Sequence, residues 1–216
     1  MAFGEPDVHV MFPVPLVTVR LTGCEVLNAT LLSEIERRRE DEEGIERSNR
    51  YGWHSAVDLF ERTEPGHAEL ARELDAVVAA ATAKLIPDMP EGVTARHEGW
   101  INVSPTHAMN APHDHPGVFW SGCYYIRVPT LGDDQDKLSG AIEFIDPRGS
   151  IGTTATIDTQ FTRPKFTVRP APGMCLLWPG FLKHWVHPNR SGEERVSAAF
   201  NSWFKKPVGG TDENAA

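Results

Sequence analysis

From about residue 95 onward the chain is a series of short apolar runs. They are Trp100 to Val103, Val118 to Val128, Ala141 to Ile145, Phe166 to Val168, Met174 to Trp178 and Val196 to Phe204. Turns rich in Pro, Gly and Asp separate them. Runs this short cannot each be a helix, and regular turn punctuation between them is the mark of an all-β barrel or sandwich. The first half reads differently. Leu70, Leu74, Val77, Val78, Ala81 and Leu85 fall on one stripe with a period near 3.6 and predict a helix from about Pro65 to Ile86. An earlier helix is predicted over ATLLSEIERRREDEE, with Asn28 as its N-cap. Both are expected to pack outside the sheets.

A chain of 216 residues suits one domain with a buried core. The expected division is a strand and supporting helices over 1–94, a β core over 95–204 and a flexible tail over 205–216. The formal charge of -9 argues against phosphate-driven nucleic-acid binding. The Arg37-Arg38-Arg39 run is flanked by five acidic residues and reads as a solvated helix face. Three scattered cysteines (Cys24, Cys123 and Cys175) give no disulfide framework. The apolar stretch Val8 to Val19 is broken by Pro13 and Pro15, so neither a signal peptide nor a membrane span is expected. A cytoplasmic protein is the expectation.

Four of the nine histidines lie in two tight groups. In Pro112-His113-Asp114-His115-Pro116 an extended backbone puts His113 and His115 on one face and Asp114 on the other. Two imidazoles so placed make half of a metal site. In His184-Trp185-Val186-His187 the spacing is three, so in a strand only one histidine can face the same centre. His9, His54, His67, His97 and His107 sit in no ligand spacing and read as ordinary surface or core residues.

Further on, Arg195-Val196-Ser197 lies in the strand-like run ERVSAAFNSWF, where Arg195, Ser197 and Ala199 share a face. An arginine on an inward face needs an anionic partner, and a planar guanidinium holds a carboxylate through two parallel bonds. The alternative is an exposed arginine at a strand end.

The order His-x-His, SGCYYIRVP, GAIEFIDPR, PGMCLLWPGFLKHWVHPN and ERVSAAFN resembles the 2-oxoglutarate/Fe(II)-dependent oxygenases, in particular a bacterial group related to the prolyl-hydroxylase branch. An upstream stretch, SNRYGWHS at Ser48 to Ser55, is similar to one that group carries, so the resemblance covers about residues 48–204. It implies a double-stranded β-helix, and Fe(II) with 2-oxoglutarate as co-substrate. By position, His113, His115 and His184 match the metal ligands. Arg195 and Ser197 match the clamp on the far carboxylate of the co-substrate, and Tyr125 matches a hydroxyl donor to the same group. Pro172-Gly173 matches the connection before the distal strand. Asn102, Trp100, Trp120, Trp178 and Trp185 are expected around the pocket.

One position departs from the pattern. Most of the superfamily carries a carboxylate where this chain has His115, completing a 2-His-1-carboxylate triad. Asp114 takes that role instead if the Pro-flanked segment bends. Three imidazoles would leave the full charge on the metal until an anionic co-substrate binds.

The reaction implied is oxidation of a C–H bond in a small molecule or protein side chain, with O₂ consumed. Neither a nucleic-acid nor a membrane partner is expected. Two other classes fit the histidines alone. One is a three-histidine cupin dioxygenase that does without 2-oxoglutarate and has no use for Arg195. The other is a non-catalytic metal-binding β-sandwich, closed by a fourth ligand such as His187. A homodimer is the commonest arrangement for soluble proteins of this kind.

Overall fold

The structure is a computed structural model that describes residues 5–132, 136–149, 157, 159 and 162–205. In chain order its elements are β1 (Val17–Arg20), α1 (Glu25–Asp41), β2 (Asn49–Arg50), β3 (Trp53–His54), α2 (Pro65–Leu85), β4 (Thr94–Ser104), β5 (Met109–His113), β6 (Trp120–Arg127), β7 (Ile142–Ile145), β8 (Lys165–Val168), β9 (Met174–Pro179), β10 (His184–Val186) and β11 (Arg195–Lys205). The strands form two antiparallel sheets, β1-β9-β6-β11-β4-β3 and β2-β5-β10-β7-β8. From β4 to β11 the chain passes repeatedly from one sheet to the other, which winds it into a double-stranded β-helix. The two packed sheets are what the spaced apolar runs predict, and the winding is the one that the family resemblance implies.

The larger sheet is covered on both faces, and for that reason β6 reads as a nearly unbroken apolar run. On one face Tyr124, Ile126, Leu177, Ala198 and Phe200 pack against Leu31, Leu70, Leu74 and Val78 of the two helices. On the other, Cys123, Tyr125, Leu176 and Trp178 meet Ile142, Phe144 and Val186 of the smaller sheet. Each leucine removed from water at that helix–sheet layer stabilises by about 1.5–3 kcal/mol before entropy is counted.

The helices are tied together by one buried carboxylate. Glu34 of α1 accepts from the Gly66 and His67 backbone N–H groups at 2.9 and 3.1 Å, satisfying the exposed donors at the start of α2. It also accepts from His67 Nδ1 at 2.7 Å. Gly66 leaves room for this contact, since a Cβ there would lie 2.8 Å from Glu34 Oε2 and push the carboxylate aside.

Several sequence expectations change in detail. The first helix begins at Glu25, and Asn28 lies inside it. The Asn28 side chain caps nothing and instead accepts the Tyr124 hydroxyl at 2.8 Å, fastening α1 to β6. Arg38 is not solvated. It is 5% exposed, pairs with Asp58 and Glu42, and lies over the Trp53 ring, while Arg37 alone of the three points to solvent. The triplet spans a helix turn, so its members face different ways. Leu85 at the end of the α2 stripe is exposed.

All three cysteines are free and buried. No helix among the described residues is long and apolar enough to cross a membrane. The expected flexible tail falls almost wholly outside the described residues.

Candidate metal centre

His113 ends β5 and His184 begins β10, and the antiparallel register sets them directly opposite each other. Their rings are 4.4 Å apart between centroids. His115 follows just beyond β5, with ring centroids 5.1 Å from His113 and 5.4 Å from His184. Its backbone is held by the bend, since its N–H donates to the Gly180 carbonyl at 2.8 Å. Gly180 has to be glycine: a Cβ would sit 2.4 Å from the Val118 carbonyl oxygen. One ligand atom from each histidine lies within 4.8 Å of the others, and Asp114 is not in the cluster. His187 is excluded by direction, bonding Glu143 at 3.2 Å on the outer side of β10.

Two of the tautomers are written in the hydrogen bonds. His113 Nδ1 donates to the Ala111 carbonyl at 2.7 Å, and His184 Nδ1 donates to the Leu182 carbonyl at 2.9 Å. Each therefore keeps its Nε2 lone pair free. Burial is the first cause that lowers all three pKa values, to about 4 for His115 and about 3 for His184. Neutral imidazoles, buried and converging without a carboxylate, suit a borderline transition metal such as Fe(II).

The same cavity holds a second unfilled requirement. Arg195 is 3% exposed, and among the described residues its side chain makes one hydrogen bond, from Nη2 to Ser104 Oγ at 3.4 Å. Its Nε and Nη1 have no partner among the described residues, and neither does the fully buried Tyr125 hydroxyl. Burial raises the Tyr125 pKa, so the hydroxyl stays protonated and can donate. Ser197 and Asn102, paired across β11 and β4, line the same cavity, as does Cys123. A buried guanidinium with unused donors, beside an unused hydroxyl, is a receptor for a carboxylate. Both donor sets thus fit the metal and the dicarboxylate that the sequence implies.

Trp100 and Trp178 line the cavity as expected, whereas Trp120 and Trp185 do not. Trp120 points to the helix layer and donates to Thr82 Oγ1, and Trp185 donates to Glu143 on the outer side. Four contributors were not singled out in the sequence. Ser48 reaches the centre because β2 pairs with β5, and its Oγ lies 3.5 Å from His113 Nε2. Asn110 donates to Ser48 Oγ at 3.3 Å. Ser104 faces Arg195 across β4 and β11. Asn201 is the next inward position after Arg195, Ser197 and Ala199, so the alternation carried two residues further would have found it.

Residues 98–201 match the model of a family described as "Putative 2OG-Fe(II) oxygenase". No curated protein sequence matches the chain. Among solved structures, a Pseudomonas putida prolyl-4-hydroxylase superposes with a TM-score of 0.61 at 16% identity, covering 89% of this chain and 92% of the other. A Trichoplax adhaerens prolyl hydroxylase, in complex with a hypoxia inducible factor peptide fragment, gives 0.59 at 11% identity, with coverages of 87% and 83%. HygX from Streptomyces hygroscopicus, with nickel and 2-oxoglutarate bound, gives 0.58 at 15% identity, with coverages of 88% and 82%. At these identities the likeness is one of fold.

Proposed function

We propose that the chain, whose residues 98–201 match the oxygenase family model, works as a 2-oxoglutarate/Fe(II)-dependent oxygenase. His113, His115 and His184 hold Fe(II). Arg195, Tyr125 and Ser197 receive the far carboxylate of 2-oxoglutarate, with Asn102 beside them. The observation that carries this reading is the pair of unsatisfied donors, Arg195 and Tyr125, in the cavity that also holds the histidines. Leaving a guanidinium buried without an anion is costly, and a bound dicarboxylate removes that cost.

When bound, Fe(II) supplies the O₂ chemistry that couples oxidative decarboxylation of 2-oxoglutarate to oxidation of a substrate C–H bond. The protein's own work is positional. The Ala111 and Leu182 carbonyls orient two of the imidazoles, the Ser104 hydroxyl steadies the guanidinium, and the two sheets exclude water from the clamp. The three imidazoles carry no charge, so the dianionic co-substrate alone would balance the metal. The substrate is a small molecule or a protein side chain that reaches the histidines in the cavity that Ser48 and Trp100 help to line.

The closed structural-metal alternative loses its fourth ligand, because His187 faces Glu143. The three-histidine dioxygenase without 2-oxoglutarate leaves Arg195 unexplained. Anaerobic Fe(II) titration in the presence of 2-oxoglutarate tests the assignment. A visible metal-to-ligand charge-transfer band is expected, and it should be absent from the His113→Ala variant. No band from the folded wild-type protein would sink the reading.

A further inference from the structure

His115 differs from its two companions in what holds its ring. His113 and His184 each give their Nδ1 proton to a carbonyl two residues back in their own chain. Nδ1 of His115 instead meets a side chain from the opposite sheet, the Asn201 carboxamide of β11, with Nδ2 at 3.3 Å. That carboxamide is itself anchored: Ser121 of β6, directly opposite in register, donates its hydroxyl to Asn201 Oδ1 at 2.9 Å. Asn201 is 8% exposed and Ser121 is 1% exposed, so bulk water does not substitute for either bond.

The direction of this relay decides whether His115 can bind a metal through Nε2. With the amide NH₂ toward the ring, Nδ1 accepts, and a neutral imidazole then carries its proton on Nε2, which closes that atom to a metal. The two ends of a carboxamide are nearly equal in shape, and a serine hydroxyl accepts as readily as it donates. Turning the amide end for end keeps both contacts. Oδ1 then accepts from His115 Nδ1–H, Nδ2 donates to Ser121 Oγ, and the Nε2 lone pair is released.

We propose that Asn201, anchored by Ser121, is the positioning residue that sets the His115 tautomer for metal binding. The requirement is particular to histidine at the third ligand position, since a carboxylate there has no tautomer to set. The proposal rests on the reading of His113, His115 and His184 as the metal ligands.

Long-range ¹H–¹⁵N correlation spectra of the Zn(II)-loaded full chain test it without turnover. The expected pattern for His115 is a protonated Nδ1 and a metal-shifted Nε2, matching His113 and His184. Co(II) titration supplies the second readout. Asn201→Leu should weaken Co(II) binding by roughly 10–100-fold, the usual cost of removing a hydrogen-bond partner behind a histidine ligand. Asn201→Asp should bind at least as tightly as wild type, because a carboxylate is the stronger acceptor for Nδ1–H. Thermal melts of the metal-free variants establish that each is folded. The proposal is overturned by ligation of His115 through Nδ1, or by a folded Asn201→Leu variant that binds Co(II) like wild type. Should His115→Ala also leave Co(II) binding unchanged, the three-histidine reading itself fails. That outcome is distinct from loss of the Asn201 role alone.

Discussion

The Arg195 guanidinium lies over the Tyr125 ring, 5.9 Å from its centroid, and the two side chains keep three polar atoms without a partner among the described residues. A buried unpaired hydroxyl is a burden on the empty protein, of about 1–3 kcal/mol. Tyr125→Phe should therefore melt no lower than wild type in the absence of co-substrate. It should also bind 2-oxoglutarate more weakly, by the roughly 1.5–3 kcal/mol of a hydrogen bond to a charged group. Paired melts with and without 2-oxoglutarate read both effects. Equal ligand-induced shifts in the two proteins would remove Tyr125 from the clamp.

Arg195 should act on the co-substrate and leave the metal alone. Arg195→Ala is expected to cost on the order of 2–5 kcal/mol in 2-oxoglutarate binding, the range for removing one partner of a desolvated charge pair. Fe(II) affinity should stay close to wild type. Arg195→Lys should recover only part of the loss, because an ammonium cannot reproduce the two parallel bonds. Anaerobic calorimetry with each ligand in turn separates the effects. Normal 2-oxoglutarate binding by the alanine variant would favour the three-histidine dioxygenase.

Stability of the metal-free protein should fall on mild acidification. Burial first, then the neighbouring imidazoles, hold His184 near 3 and His115 near 4, below the ordinary 6.5. Well above pH 6.5 both are neutral, folded or unfolded, and contribute no pH dependence. Below it the unfolded chain takes up protons that the folded state refuses, so stability drops until the folded values are reached. Most paired carboxylates titrate lower, so the interval from pH 6.5 to 5 isolates the histidines. Chelator-treated wild type should lose melting temperature there, and His184→Gln should lose less. Identical slopes would place the pH dependence elsewhere.

How much of this was legible in the sequence depended on whether local pattern or long-range pairing decided the outcome. The β core was readable because its longer strands are apolar and punctuated by turns. Helix α2 was readable from its periodic stripe. Strands β5 and β10 do not stand out as apolar runs, since β5 reads Met-Asn-Ala-Pro-His and β10 spans only His184–Val186, and their histidine spacings were what pointed to extended backbone. His113 and His115 were legible through His-x-His spacing, His184 through the family resemblance, and Arg195 through alternation on β11. Asn28 and Arg38 were misread for a shared reason. Their roles depend on Tyr124 and Asp58, which lie 96 and 20 residues away and which no local pattern announces. Ser48 was hidden in the same way, since only the pairing of β2 with β5 brings it to His113.

Gly122, in the Ser-Gly-Cys-Tyr-Tyr run, offers a test of how tightly the core strands hold the site. It pairs with Phe200 across β6 and β11, and a Cβ built on it would lie 2.2 Å from Phe200 Cζ. The phenyl ring cannot retreat freely, because it is 1% exposed and meets Phe60 edge-on at 6.4 Å between centroids. Gly122→Ala should consequently destabilise by about 1–3 kcal/mol, the usual cost of overpacking a filled core. Phe200→Ala should cost about 3–5 kcal/mol through the cavity it leaves. In the double variant the new methyl group enters that cavity, so the combined loss should fall short of the sum by more than the roughly 0.5 kcal/mol within which independent sites add. Chemical denaturation of the four proteins gives the cycle. Strict additivity would mean that strand β6 moves bodily to relieve the contact. Tyr125, three residues along the same strand, would then be displaced as well, and 2-oxoglutarate binding by Gly122→Ala would fall with its stability.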